Sequence, residues 1–186
     1  MKKIVFFSLF MLSNLVWCAD GVIPVSAPGQ LTNPGIYSSA VTTSPTPAAR
    51  GPALQLALKA AQTAVNSCLA IQQNVAVSVL DSDGVVRVLL ASDGAVARAV
   101  QSGINKALTA LAFKQASSSL GEKVKTDQHL AGQVAANPNY NTRAGGILLQ
   151  VHGEVIGAIG VGGARGSEKD EACAIAGLKE IQDLLQ

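Results

Sequence analysis

The chain has 186 residues, of which 48% are hydrophobic, 14% charged and 4% aromatic, and this composition is typical of one globular domain with additional segments. Its 14 Lys and Arg exceed its 12 Asp and Glu by two, and Lys2 and Lys3 at the amino terminus account for the difference. The remainder is neutral, which argues against a nucleic-acid partner. With two histidines and three cysteines, a zinc site or a histidine-rich catalytic cluster would have to use almost all of them.

Residues 1–19 have the pattern of a secretory signal peptide. A basic start precedes an apolar run over residues 4–12, which is shorter than the roughly 20 residues that span a bilayer. We therefore expect a leader that is removed at Cys18 or Ala19 rather than a membrane anchor, and bulky Trp17 argues against a lipoprotein through Cys18. The mature protein is expected to be periplasmic or secreted, with no membrane span.

Residues 20–52 contain six of the seven prolines, many Ser, Thr and Gly, and almost no charge. No hydrophobic period runs through them. This composition predicts a flexible linker, which leaves residues 53–186 as the folded domain.

The first half of that domain predicts a helix, a β-hairpin and a second helix. Residues 53–73 carry an apolar stripe at spacings of three and four, formed by Leu54, Leu58, Ala61, Val65 and Leu69. Residues 74–80 and 85–90 alternate as strands do, and the sequence Asp81-Ser82-Asp83-Gly84 between them is typical of a turn. The same four residues could begin a calcium-binding loop, but the later ligands of such a loop are missing from the sequence. Residues 94–116 predict the second helix.

The second half predicts a long connection, another hairpin and a final helix. Residues 117–144 show no sustained period, and a connection of this length is usually functional or mobile. Residues 146–151 and 155–161 predict strands joined by His152-Gly153, where left-handed backbone is needed. Ser167 is expected to cap the last helix, with Asp170 three residues later. Close helix packing is favoured over nucleotide binding for the glycine-rich residues 157–166, because their spacing departs from the dinucleotide motif.

Hairpins alternating with helices predict an α+β fold, an antiparallel β-sheet with flanking helices. Phe113 and Tyr140 are the aromatic residues of the domain, so the core must consist of Ala, Val, Ile and Leu. Cys68 lies near the end of the first helix and Cys173 near the start of the last. If these helices pack antiparallel, the sulfurs lie at the same end, where a disulfide and two buried thiols both fit.

The unpatterned connection holds a histidine close to cations. His129 follows Lys123 and Lys125 within seven residues. A solvated surface histidine and a ligand-binding histidine both fit this arrangement. The other histidine, His152, is explained by the hairpin turn alone.

Three stretches resemble the HbpS/GlcG-like haem-binding family: residues 77–84 with Asp93-Gly94-Ala95, residues 105–110, and Gly145-Gly146 with residues 153–164. The resemblance covers residues 53–185 and implies a profilin-like or PAS-like sheet, a homo-oligomer and haem binding, with haem degradation in some members. Lys106 and Thr109 match the family's Lys-Ala-x-Thr motif and are carried over as pocket lining. The chain departs from the family pattern at Ala91, where an arginine is common, and at Gly162, where a serine is common.

We therefore expect an exported haem-binding protein, a carrier or a sensor component. His129 is the expected iron ligand, with Thr109 and Tyr140 next, while Lys106, Lys123 and Lys125 supply cations for the propionates. An enzyme acting on haem or another small molecule is less favoured, because no acid–base pair stands out. A non-catalytic oligomeric assembly module is the other alternative, since residues 145–164 are glycine-rich and almost uncharged.

Overall fold

The computed structural model of the protein describes residues 49–185. The leader predicted for residues 1–19 and most of the linker predicted for residues 20–52 lie outside this range. Within it, no helix is both long enough and apolar enough to cross a bilayer. The elements are α1 (Leu54–Ala70), β1 (Ala76–Asp81), β2 (Val86–Ala91), α2 (Ala97–Phe113), α3 (Ser117–Lys123), α4 (Gln128–Ala135), β3 (Gly146–Val151), β4 (Glu154–Gly162), α5 (Ser167–Ile181) and a 3-10 helix (Gln182–Leu184).

The four strands of the described domain form one antiparallel sheet in the order β2-β1-β4-β3. Both predicted hairpins are present. Gly84 in the first turn has a φ of 82°, and His152 and Gly153 in the second have φ values of 49° and 83°. These left-handed conformations are the reason for a glycine or a tolerant residue at each turn. The predicted α+β architecture is confirmed.

Helices cover both faces of the sheet. Helices α1 and α5 pack on one face, where Val77, Val79, Ile159 and Val161 of the two central strands belong to the larger hydrophobic cluster. Helix α2 packs on the other face, over a smaller cluster that includes Leu80 and Ala158. The central strands are therefore covered on both sides, which explains their nearly continuous apolar sequence.

The buried face of α1 consists of small residues rather than the predicted leucines. Leu54, Leu58 and Leu69 are 52%, 37% and 42% exposed, so this part of the predicted stripe is wrong. The reason is the close approach of α5, where a Cβ added to Gly177 would lie 2.6 Å from the carbonyl oxygen of Ala60. Leucines do not fit between backbones this close. The buried residues of α1 are Ala57, Ala60, Ala61, Ala64, Val65 and Cys68.

The glycines of β4 serve the same purpose on the other face. A Cβ added to Gly162 would lie 2.6 Å from the carbonyl oxygen of Ala99 and 2.7 Å from the amide nitrogen of Gly103, both in α2. Because real Cβ atoms do not approach backbone this closely, a side chain here would push α2 away from the sheet. Close helix packing, the favoured interpretation of residues 157–166, is confirmed.

Cys68 of α1 and Cys173 of α5 form a disulfide, with their Cα atoms 5.7 Å apart. Both residues are almost completely buried in the core between the two helices. Of the two alternatives left open by the sequence, the structure contains the disulfide.

Residues 117–144 are not the unpatterned connection that the sequence predicts, because they form α3 and α4. The Asp127 side chain accepts a hydrogen bond from the amide of Leu130 at 2.9 Å and caps α4. None of the residues of α4 is buried. The sequence of this segment shows no helical period because α3 and α4 each have only about two turns and α4 has no stripe of buried residues.

The start of α5 also differs from the prediction. Ser167 is the first residue of the helix, and its side chain caps nothing; Gly166 stands before it with a φ of 104°. The carboxylate of Asp170 accepts instead from the amide of Ala164, at 2.9 Å. The predicted cap at Ser167 is therefore wrong. The chain enters α5 through left-handed backbone at Gly166, and the Asp170 carboxylate accepts from the Ala164 amide instead.

Candidate functional site

A polar cleft of about 450 Å³ lies at the end of the sheet where β4 leads into α5. We call it the polar cleft and define it by Arg98, Ser102, Asn105 and Lys106 of α2, Asn141 and Arg143 of the segment before β3, and Asp170 of α5. Helix α2 supplies four of these residues because positions three or four apart share one helix face. The cleft therefore combines elements from both faces of the sheet.

At its floor, Lys106 and Asp170 form a buried ion pair. The Lys106 Nζ lies 2.6 Å from the Asp170 carboxylate and donates a second hydrogen bond to the carbonyl oxygen of Val161 at 3.0 Å. The two side chains are 2% and 4% exposed. Since α2 and α5 lie on opposite faces of the sheet, this contact joins the two helical layers.

Two glycines leave room for the ion pair. A Cβ added to Gly145 would lie 2.9 Å from the Asp170 Cβ and 3.0 Å from the Lys106 Nζ, and Gly145 has a φ of 126°. An added Cβ on Gly146 would collide with the Lys106 carbonyl. The Gly145-Gly146 motif thus lets the Lys106 side chain pass the start of β3 and reach α5.

Burial weakens the ionised form of both partners. Loss of solvation lowers the pKa of Lys106, although the hydrogen bond and the charge of Asp170 oppose this effect. Loss of solvation likewise raises the pKa of Asp170, against the opposing influence of Lys106.

A hydrogen-bond network fixes the wall of the cleft opposite α5. The Thr109 hydroxyl donates to the carbonyl of Asn105 at 2.6 Å and accepts from the amide of Asn141 at 2.7 Å. The Asn141 side chain donates to the Ser102 hydroxyl at 3.2 Å. Thr109 is fully buried, and it contacts the cleft through the hydrogen bond that its hydroxyl accepts from the Asn141 amide.

Two arginines give the cleft its positive charge. Arg98 and Arg143 are exposed side chains at its rim. Within residues 49–185 neither has a carboxylate partner within salt-bridge distance. Their guanidinium groups are therefore available to an anionic ligand.

A second depression, of about 420 Å³, lies at the other end of α2 and is here called the apolar depression. Leu108, Leu111 and Ala112 form its apolar wall and Lys114 and Tyr140 border it, while the polar residues of the lining are Ser82, Asp83, Asn137 and Asn139. The Tyr140 ring meets Phe113 edge-on, with ring centres 5.2 Å apart. Asn137, which also lines it, follows the end of α4 by two residues.

The structure separates the site residues predicted from the sequence. Lys106 lies in the polar cleft, and Thr109 lies buried one turn further along α2. Lys123 donates to Gln115 at 2.6 Å and Lys125 pairs with Glu122 at 2.7 Å, both on the surface. His129 is exposed on α4, with its Nε2 3.3 Å from the Gln133 amide nitrogen. The last three residues do not line the polar cleft.

The sequence analysis does not single out Asp170, Arg98 and Arg143, which the structure places in the lining of the polar cleft. In the sequence, Asp170 is explained by its place three residues after the expected Ser167 cap, and its partner Lys106 lies 64 residues earlier, so no local pattern connects the two. Arg98 and Arg143 sit in the first turn of α2 and in a segment without regular structure. The Gly145-Gly146 pair, unexplained by the hairpin alone, was the one available signal of a side chain passing close by.

The fold is an α+β domain built on one antiparallel sheet with helices packed on both of its faces. The chain belongs to the HbpS-like family, since the family model described as "Haem degrading protein HbpS-like" matches residues 53–179. Comparison with curated proteins gave no match.

Solved structures of related proteins share the fold. A structure of HbpS is 28% identical with a TM-score of 0.64, and the match covers 83% of this chain and 97% of that one. The Klebsiella pneumoniae protein ORFY is 25% identical with a TM-score of 0.68, covering 76% and 97%. A complex of PduOC with haem is 25% identical with a TM-score of 0.65, covering 70% and 95%.

Proposed function

We propose that the protein binds haem and acts outside the cytoplasm as a carrier or sensor component. Membership of the HbpS-like family and the likeness to the PduOC haem complex support the ligand. The observation that carries the proposal for this chain is the apolar depression, because it sets an apolar wall beside a phenol and a cation. Haem needs a flat apolar surface, a donor to iron and cations for its propionates.

Residues that line the apolar depression meet two of these requirements, and the iron donor of the proposal lies on the neighbouring helix α4. Leu108 and Leu111 supply the apolar surface, and Lys114 at its edge can pair with a propionate. His129, the iron donor of this proposal, does not itself line the depression; it is the second residue of α4, whose last residue precedes Asn137 of the lining by two positions. Among the described residues, the His129 ring contacts one polar side chain, that of Gln133, so an iron would displace little. Haem bound here would supply a redox-active iron.

Two histidine variants test the ligand assignment. We expect saturable haem binding by the purified protein, with a Soret band that His129→Ala shifts or abolishes. His152→Asn is the matched control, because asparagine tolerates the left-handed backbone at that turn and the band should stay unchanged. Absence of saturable binding contradicts the proposal, and an unchanged spectrum for His129→Ala moves the ligand to Tyr140, which Tyr140→Phe then tests.

A reductant separates carrier from enzyme. With ascorbate and oxygen, a carrier should keep its Soret band apart from redox changes. Progressive loss of the band with release of iron would show haem degradation, the activity named in the family description.

Export is part of the proposal, and the basic start and short apolar run of residues 1–19 support it. Mass spectrometry of protein taken from the cell envelope should find a chain that begins after Cys18 or Ala19. A mature pool that retains Met1 would contradict export.

Self-association is the remaining part. Val86 and Leu89 on the edge strand β2 are 41% and 43% exposed, and a second copy would cover them. Light scattering at micromolar concentration should give a mass of more than one chain per particle. A strictly monomeric mass would count against this part.

A further inference from the structure

Lys106 places a primary amine at the floor of the polar cleft. Two of its three N–H groups are used, by Asp170 and by the carbonyl of Val161. The third has no acceptor among the described residues. The nitrogen is shielded from bulk water, yet both Lys106 and Asp170 border a cavity of about 450 Å³.

Stability alone does not explain why Lys106 and Asp170 form a buried ion pair at this position. Removing two charges from water costs about as much free energy as their attraction returns, and apolar residues of similar volume are often as stable. A buried amine beside a carboxylate has a chemical use, because the carboxylate can take its proton and return it during covalent catalysis.

The cleft also specifies a charge for its ligand. Arg98 and Arg143 line it without carboxylate partners within residues 49–185, and guanidinium forks match carboxylate groups. Ser102 and Asn105 add hydrogen-bonding groups between these arginines and Lys106. A ligand that satisfies this set carries a carboxylate at one end and an electrophilic carbon at the other.

We propose that the polar cleft binds a small carbonyl compound with a carboxylate, such as a 2-oxo acid, and that Lys106 forms a Schiff base with its carbonyl carbon. The Lys106 amine passes a proton to Asp170 and attacks the carbonyl carbon. A C–N bond forms, the C=O π electrons move to oxygen, and a proton moves from nitrogen to that oxygen. Asp170 then protonates the hydroxyl, which leaves as water, so the iminium faces the restored carboxylate and one water is released.

This site is distinct from the one proposed for haem. The apolar depression borders the later half of α2 and the polar cleft its earlier half, and the residues lining the two do not overlap. Either proposal can therefore fail while the other holds.

Reductive trapping tests the amine directly. The haem-free protein is incubated with pyruvate and sodium cyanoborohydride, which converts an imine into a stable secondary amine, and the labelled lysines are mapped by peptide mass spectrometry. We expect about tenfold more label on Lys106 than on exposed Lys179 of α5. Label on Lys106 no greater than that on Lys179 would overturn the proposal, and this comparison needs no variant to fold.

Variants and a second probe test the carboxylate. Arg98→Gln and Arg143→Gln should each lower the labelling of Lys106 by pyruvate about tenfold, as expected for loss of a charge-assisted contact. Arg87→Gln on the distant strand β2 should leave it unchanged. Acetone, which has a carbonyl but no carboxylate, should label Lys106 far less. Equal labelling by acetone and pyruvate, or by the wild type and both arginine variants, would overturn the assigned ligand class.

Discussion

Breaking the Cys68–Cys173 disulfide should lower the free energy of unfolding by about 4.7 kcal/mol. The bond closes a loop of 105 residues, and the chain-entropy relation gives about 4.7 kcal/mol for a loop of this length at 25 °C. Domains of this size are stable by about 5–15 kcal/mol, so at least about 30% of the total depends on one covalent bond. The corresponding fall in melting temperature is about 15 °C.

Urea unfolding of the oxidised protein, the reduced protein and the Cys68→Ala/Cys173→Ala variant measures this contribution. Reduction should move the midpoint of the wild type strongly and leave the variant unchanged, since the variant has no bond between these positions. The variant should unfold at least as early as the reduced protein, because truncating two buried side chains adds a small cavity penalty. Equal midpoints for oxidised and reduced wild type would refute the reasoning.

Gly162→Ala should lower the free energy of unfolding by about 1–3 kcal/mol, because its methyl would meet the Ala99 carbonyl at 2.6 Å. Gly132→Ala is the control, because an added Cβ there would have nothing within 4 Å, and it should leave the free energy of unfolding unchanged or raise it by up to about 1 kcal/mol. Thermal melts that rank the two variants the other way would contradict the packing argument. Lys106→Met should lower the free energy of unfolding by about 3–5 kcal/mol at neutral pH, because it leaves Asp170 buried and unpaired. Adding Asp170→Leu should recover most of that loss. A urea double-mutant cycle in which the second substitution lowers the stability further would contradict this. Because the pKa of Asp170 is raised above 3.8, its protonation favours folding below that pH and the gain is lost as pH rises through the folded pKa. The stability of the wild type relative to Asp170→Asn should therefore fall as pH rises above 3.8, and parallel curves would contradict the shift.

Both hairpins could be predicted from the sequence because alternation and turn residues are local signals. Strand β3 begins and ends where it was predicted, and the other strands differ by one or two residues. The disulfide was one of two open alternatives, since helix packing decides whether the sulfurs meet.

Helix α1 shows why the rest could not be predicted. A stripe of leucines ordinarily marks the buried face, but here alanines are buried because α5 approaches through Gly177. The distance between two helices is a tertiary property, and no pattern within α1 contains it.

The polar cleft depends on contacts between distant parts of the chain. The family resemblance points to Lys106, whereas its partner Asp170 has a sufficient local explanation as the residue three positions after the expected Ser167 cap. The pairing becomes visible only when α2 and α5 are placed on opposite faces of the same sheet.

Helix α4 has a dynamic consequence that follows from its lack of buried residues. Opening a helix that buries no side chain costs little free energy, so its backbone amides should exchange with deuterium among the fastest in the domain. A ligand that recruits His129 must order this helix and gives up some affinity in doing so. Slowed exchange in residues 128–135 would then report occupancy of the site without any signal from the ligand itself.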